Sequence, residues 1–185
     1  ENKERIIIFG DYDVDGISGT AVLIQTLGLL GANVSYRLPH RANDGYGLSD
    51  KFIEEFKELG VSLLITVDCG ISCHQQISLA SSYNIDVIIT DHHTLPEIFP
   101  VKAHAVLHPK QEGCEYPFKG LTGSGVAYKL ASALITAMKQ GDEREKLLYD
   151  LLDLASLGTV ADMGPLLDEN RIIVKYGLEA MQKSR

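Results

Sequence analysis

An α/β fold, built as a mainly parallel five-stranded sheet with helices on both faces and followed by a helical C-terminal segment, is predicted by three observations. Five short apolar runs punctuate the first 107 residues, and they are continuous rather than alternating, as in strands buried on both faces. Helical spacing separates them in the β-α-β rhythm of parallel units. From residue 123 onward the strand-like runs stop and helical periodicity takes over.

The elements follow in order. Residues 6–9 (Ile-Ile-Ile-Phe) form a buried first strand, and 18–31 an apolar-rich helix closed near Gly31. Residues 33–38 form the second strand. Phe52, Ile53, Phe56 and Leu59 keep helical spacing ahead of Gly60, which suits the residue just past a helix end. The third, fourth and fifth strands are expected at 63–67, 86–90 and 105–107, and three helices at 123–140, about 143–158 and about 169–182. No internal repeat, low-complexity tract or long linker interrupts them. The division expected is an α/β core over about 1–120 and a helical part over about 121–185.

Composition narrows the function classes. With 45% hydrophobic residues and 6 Pro, the chain can bury a large core. No run of eighteen apolar residues occurs, so no membrane-spanning helix is expected. The charged start, Glu1 to Arg5, resembles neither a signal nor a transit peptide. Three cysteines, an odd count, argue for a reducing, cytoplasmic compartment rather than a disulfide framework. A net charge of −8 speaks against a general nucleic-acid binder, although bound cations change the local sum.

The polar residues cluster where the strands end. Asp11, Asp13 and Asp15 follow the first strand, Asp68 the third, and Asp91, His92 and His93 the fourth. Ligands of open parallel sheets bind at the carboxyl ends of the strands, so these groups converge on one edge. Alternating carboxylates at Asp11, Asp13 and Asp15 suit hard cations such as Mg²⁺ or Mn²⁺, and Gly16 lets the chain turn into the next helix. A solvated acidic loop at a helix start explains them equally well. An EF-hand is excluded, because the twelfth loop position counted from Asp11 is Val22. Adjacent histidines on an extended segment point apart, so one is free to ligate metal while the other meets substrate or is held by a carboxylate; a polar loop with surface histidines is the alternative. Imidazole among carboxylates favours Mn²⁺ over Ca²⁺.

The remaining motifs are weaker. In the loop 41–47, Arg41 offers a guanidinium for phosphate and Tyr46 a ring for a base; a plain surface connection is the alternative. Ser124 and Gly125 open a helix whose free N–H groups suit a phosphate, although the segment is neither a Walker loop nor a dinucleotide fingerprint. From spacing alone Asp162 is an incidental residue at a helix end. Cys69, Cys73 and His74 lack the partners of a zinc site, Cys114 being distant, and are read as buried or incidental thiols.

Taken in order, FGDYDVDG, TVDCG, TDHH and LGTVADMGPL resemble the DHH phosphoesterase superfamily. RANDGYGLS, the run HPKQEGCEYPFKGLTGSGVAYKLA and ENR are similar to its RecJ-type branch of single-stranded-DNA-specific exonucleases. The resemblance covers nearly the whole chain. It implies a two-metal phosphodiesterase, holding Mn²⁺ or Mg²⁺, that digests single-stranded DNA 5′ to 3′ in repair and recombination. Asp13, Asp15, Asp68, His92 and Asp162 match the family's metal ligands, His93 matches the histidine turned toward the scissile phosphate, and Asp91 supports the pair. Many members carry a histidine ligand where this chain has Phe9, and Asp11 or a water is left to fill that place. A nanoRNase, a cyclic-dinucleotide phosphodiesterase or a non-catalytic replication scaffold are the alternatives.

The resemblance also implies a monomer working with a single-strand-binding protein or a helicase, away from membranes. RecJ-type members add a DHHA1-like domain and often an oligonucleotide-binding fold. Neither is found in 1–185, so a core catalytic domain of a longer protein is expected. Arg41, Lys110, Lys119 and Lys129 are the cations expected near the motifs.

Overall fold

The computed structural model describes residues 4–41, 45 and 47–183. Five strands, β1 (Arg5–Gly10), β2 (Asn33–Arg37), β3 (Leu63–Val67), β4 (Asp86–Thr90) and β5 (Ala105–Leu107), form one parallel sheet in the order β2-β1-β3-β4-β5. The predicted fold class holds. The helices are α1 (Val14–Leu29), α2 (Asp50–Glu58), α3 (His74–Ser82), α4 (Gly123–Met138), α5 (Gly141–Asp150), α6 (Leu152–Ala161) and α7 (Asp168–Lys183).

The apolar runs of β1, β3 and β4 are continuous because these strands feed two cores. Ile7, Phe9, Leu64, Val87 and Ile89 pack with Phe52, Ile53 and Phe56 of α2 and Ile77 and Ala80 of α3. Ile6, Ile8, Ile65 and Val67 face the other way, onto Val22, Leu23 and Leu27 of α1 and Ala127, Ala131 and Ile135 of α4. A side-chain period of two sends neighbours in a strand to opposite faces, so only unbroken apolar sequence satisfies both. A third cluster, of Leu121, Val126, Leu152, Ala155 and Ile173, ties α4, α6 and α7 together.

Three elements differ from the expectation. Helix α1 starts at Val14, inside the acidic motif, because Asp13 caps it: Gly16 N donates to Asp13 Oδ1 at 3.0 Å. Helix α3 escapes periodicity because it is short and polar and buries only Ile77 and Ala80. The helix expected over 143–158 is two helices that meet at Leu151. Leu151 joins the core under α1 whereas Leu152 joins the third cluster, and the turn in direction lets both leucines bury.

Among the described residues no helix is long and apolar enough to cross a membrane. Strands β2 and β3 lie on opposite sides of β1, so the chain reverses its order between β1 and β3. Crevices of open α/β sheets form at such a reversal.

Candidate metal centre

The register decides which residues meet. Gly10 pairs with Val67, Val67 with Thr90, and Thr90 with Leu107. The ladder runs one residue further: Asp11 N donates to Val67 O at 3.1 Å, Asp68 N to Thr90 O at 2.9 Å and Asp91 N to Leu107 O at 3.2 Å. Asp11, Asp68 and Asp91 therefore stand in one row at the carboxyl edge, and all three are at most 3% exposed. Asp68 turns the chain in the left-handed region, at φ 60°, where Asp is among the residues tolerated.

The carboxylates and imidazoles gather around this row. His92 Nε2 lies 3.0 Å from Asp68 Oδ1, 3.8 Å from Asp15 Oδ2 and 3.9 Å from Asp162 Oδ2. Three overlapping groups, Asp68–His92–His93, Asp15–His92–Asp162 and Asp11–Asp13–Asp68, each bring their ligand atoms within 4.8 Å of one another. Asp162, at the end of α6, thus joins the cluster although its spacing in the chain marks nothing. Phe9 does not: its ring is fully buried on the α2 face, 5.0 Å from the Phe52 ring centroid. Asp11 offers oxygens beside Asp13 and Asp68 instead.

Asp15 is anchored by the start of α4. Gly123 N donates to its Oδ2 at 2.6 Å and Ser124 N to its Oδ1 at 2.9 Å. Two glycines make the room. A Cβ on Gly123 would stand 2.4 Å from Asp68 Oδ1, and one on Gly158 would stand 2.6 Å from Asp15 Oδ1. Gly16 likewise admits the Asp11 backbone, whose carbonyl oxygen would lie 2.5 Å from an added Cβ.

Asp91 organises the histidines. Its Oδ1 accepts from His92 N (2.7 Å), His93 N (3.1 Å) and His93 Nδ1 (2.7 Å), and its Oδ2 from Ile71 N (3.0 Å). Burial alone would raise the Asp91 carboxyl, but the hydrogen bonds from His93 and Ile71 outweigh it and hold it below the usual range. The bond to Asp91 in turn raises His93, whose side chain is 44% exposed. Elsewhere the crowding favours protons. Asp68 is pushed up to about 9, first by burial and then by the charge of Asp15. Burial also raises Asp11 and Asp162.

The donor set fits a hard divalent cation. Among the described residues, Asp11 Oδ1, Asp68 Oδ1 and His92 Nε2 are buried without a hydrogen bond, although the last two lie 3.0 Å apart. Orphaned buried oxygens and an orphaned imidazole nitrogen beside further carboxylates are the ligands that Mn²⁺ and Mg²⁺ accept.

The other expected site residues divide. Arg41 is exposed, its guanidinium carbon 5.3 Å from the ring centroid of Tyr12, between the first two aspartates of the acidic loop. Tyr46 lies outside the described residues. Ser124 and Gly125, expected to bind substrate, are both buried, and their N–H groups serve Asp15 and Thr122 Oγ1. The helix start does hold an anion, but the anion is the chain's own carboxylate. The sequence reading missed Gly123, Gly158 and His108. The available signals were the Thr-Gly-Ser-Gly helix start for Gly123 and the place of Gly158 four residues before Asp162.

Residues 5–159 match the model of the DHH family, N-terminal domain. The chain is 46% identical over 183 residues to the single-stranded-DNA-specific exonuclease RecJ of Bacillus subtilis, a match spanning 98% of this chain and 22% of that protein. Its fold is similar to a crystal structure of exonuclease RecJ bound to manganese, with a TM-score of 0.84 and 38% identity over 96% of this chain and 43% of that one. A crystal structure of RecJ in complex with Mn²⁺ from Thermus thermophilus gives a TM-score of 0.78 and 35% identity, over 96% of this chain and 24% of that one. The chain therefore spans less than half the length of each of these relatives.

Proposed function

This chain belongs to the DHH family, and on that premise we propose that it hydrolyses phosphodiester bonds of single-stranded DNA, 5′ to 3′, with two divalent cations, Mn²⁺ or Mg²⁺. The observation that carries the reading is the row of buried acids at the sheet edge with orphaned Asp11, Asp68 and His92 atoms. The names of the relatives supply the substrate, and their metal-bound structures the cations.

Asp13, Asp15, Asp68, His92 and Asp162 hold the ions, with Asp11 beside Asp13 and Asp68 in place of the ligand that Phe9 cannot be. When bound, the pair polarises the phosphodiester and lowers the pKa of water. The hydrogen bonds of Asp15 to α4 and of Asp13 to α1 keep both carboxylates oriented. His93, its Nδ1 bound to Asp91 and its basicity raised by that bond, presents Nε2 to a phosphate oxygen and, in its protonated form, donates a hydrogen bond to it. Asp91, expected among the catalytic residues, acts through His93 and is a positioning residue. Arg41, beside the acidic loop, grips a phosphate near the 5′ end. Residues 1–185 act as one catalytic unit. The reading extends to a monomer in the cytoplasm, serving DNA repair and recombination alongside a single-strand-binding protein or a helicase.

The test is a substrate panel with Mn²⁺: 5′-labelled single-stranded DNA, the same strand in a duplex, an RNA dinucleotide and a cyclic dinucleotide. Early release of labelled mononucleotide from the single strand alone is expected. Turnover confined to the dinucleotides would overturn the assignment.

A further inference from the structure

The row of strand-end residues has a fourth member. Leu107 ends β5 in register with Thr90, so His108 follows β5 as Asp91 follows β4. It is 2% exposed, and both ring nitrogens are engaged. Lys110 N lies 3.1 Å from Nδ1, and His93 O lies 2.8 Å from Nε2. A backbone N–H only donates and a carbonyl only accepts, so Nδ1 is the acceptor and Nε2 carries the hydrogen. The same segment reaches the other histidine of the pair, because Lys110 Nζ donates to His92 O.

The two histidines are thus held from opposite sides. Asp91 takes their N–H groups and the His93 ring, while the segment after β5 takes their carbonyls. With N–H, C=O and Nδ1 all bound, His93 has its backbone and ring orientation set, and among the described residues Nε2 has no hydrogen-bond partner. His108 lines a cavity of about 390 Å³ together with Leu107, Leu121, Val126 and Leu130, and its two hydrogen bonds fix the direction of its ring.

We propose that His108 is a positioning residue of the phosphodiesterase site, whose Nε2–H holds the His93 carbonyl and so aims the His93 imidazole at the scissile phosphate. The proposal rests on the functional reading above. Side chains that orient a site from behind are worth about 10- to 100-fold in activity.

Two variants and one spectrum test it. His108→Phe keeps the ring's bulk and removes the donor, whereas His108→Gln carries an N–H where Nε2 stands. With Mn²⁺ and single-stranded DNA, His108→Phe is expected to lose about 10- to 100-fold in kcat, with KM and Mn²⁺ affinity within about threefold. His108→Gln should recover to within about threefold of the unmodified chain. Wild-type kcat in His108→Phe, or equal loss in both variants, overturns the proposal. The metal-free, DNA-free chain gives an independent answer by ¹⁵N spectroscopy: His108 protonated at Nε2, bare at Nδ1 and coupled through its hydrogen bond to the His93 carbonyl carbon. A hydrogen on Nδ1 overturns the contact whatever the variants do. An unmodified chain that cleaves no strand overturns the functional reading and the catalytic part of this one, and the spectrum then decides the contact alone.

Discussion

Asp68 is displaced from ordinary acidity, from 3.8 to about 9, because it is buried beside Asp15. A folded-state pKa above the unfolded one means that the folded chain binds the extra proton. The metal-free fold therefore loses stability from this group as pH rises from 3.8 toward about 9. A cation must displace that proton, so Mn²⁺ affinity should strengthen about tenfold per pH unit below that pKa. Titrations in buffers of different ionisation enthalpy should count about one proton released per chain at neutral pH from this group. Affinity independent of pH between 6 and 8 would show that Asp68 is already ionised. The histidines should separate in the same way. His93→Ala should lower kcat by about 10²-fold or more with metal affinity kept, since a hydrogen-bond donor aimed at transition-state charge is worth that much. His92→Ala should lose metal affinity first, and equal loss of metal in both would make both ligands. Asp11, Asp13, Asp15, Asp68, Asp91 and His92 were legible because each follows an apolar run that had to be a strand. Asp162 was legible only through the family resemblance and not from spacing, since its place depends on how α6 packs against α1. His108 was not legible, since it opens a loop in the sequence and closes a row in the sheet.

Helix α4 starts against the metal centre, and its first two N–H groups belong to Asp15. The sequence showed that this helix start wants an anion, but not that the anion comes from a residue 108 positions earlier. Gly158 on α6 gives Asp15 its space, with Ser124 Oγ only 2.3 Å from where a Cβ would stand. Gly158→Ala should therefore push Asp15 off its two donors. A loss of about tenfold or more in Mn²⁺ affinity is expected, with overpacking costing about 1–3 kcal/mol of stability. Metal titration and thermal melting of the variant check both, and an unchanged metal affinity would show that Asp15 is not a ligand. The strands were readable because parallel pairing buries both faces. The break at Leu151 was not, because it depends on which of two clusters each leucine enters.

Over the whole molecule the charge is −8, yet the proposed substrate is a polyanion. Of the four cations expected near the motifs, Arg41 is exposed beside the acidic loop, and the three lysines are engaged within the chain. Lys129 pairs with Glu169 at 3.0 Å, Lys119 donates to Cys114 O at 2.7 Å, and Lys110 reaches His92 O. The approach of a phosphate then depends on cations bound among the acids at the reversal of the sheet, and this is the central claim. Native mass spectrometry of the chain with Mn²⁺ tests it most directly, alongside Asp68→Ala with its fold checked by circular dichroism. The account predicts two ions on the unmodified chain and fewer on the folded variant; a chain that takes up no ion, or a variant that keeps both, would contradict it.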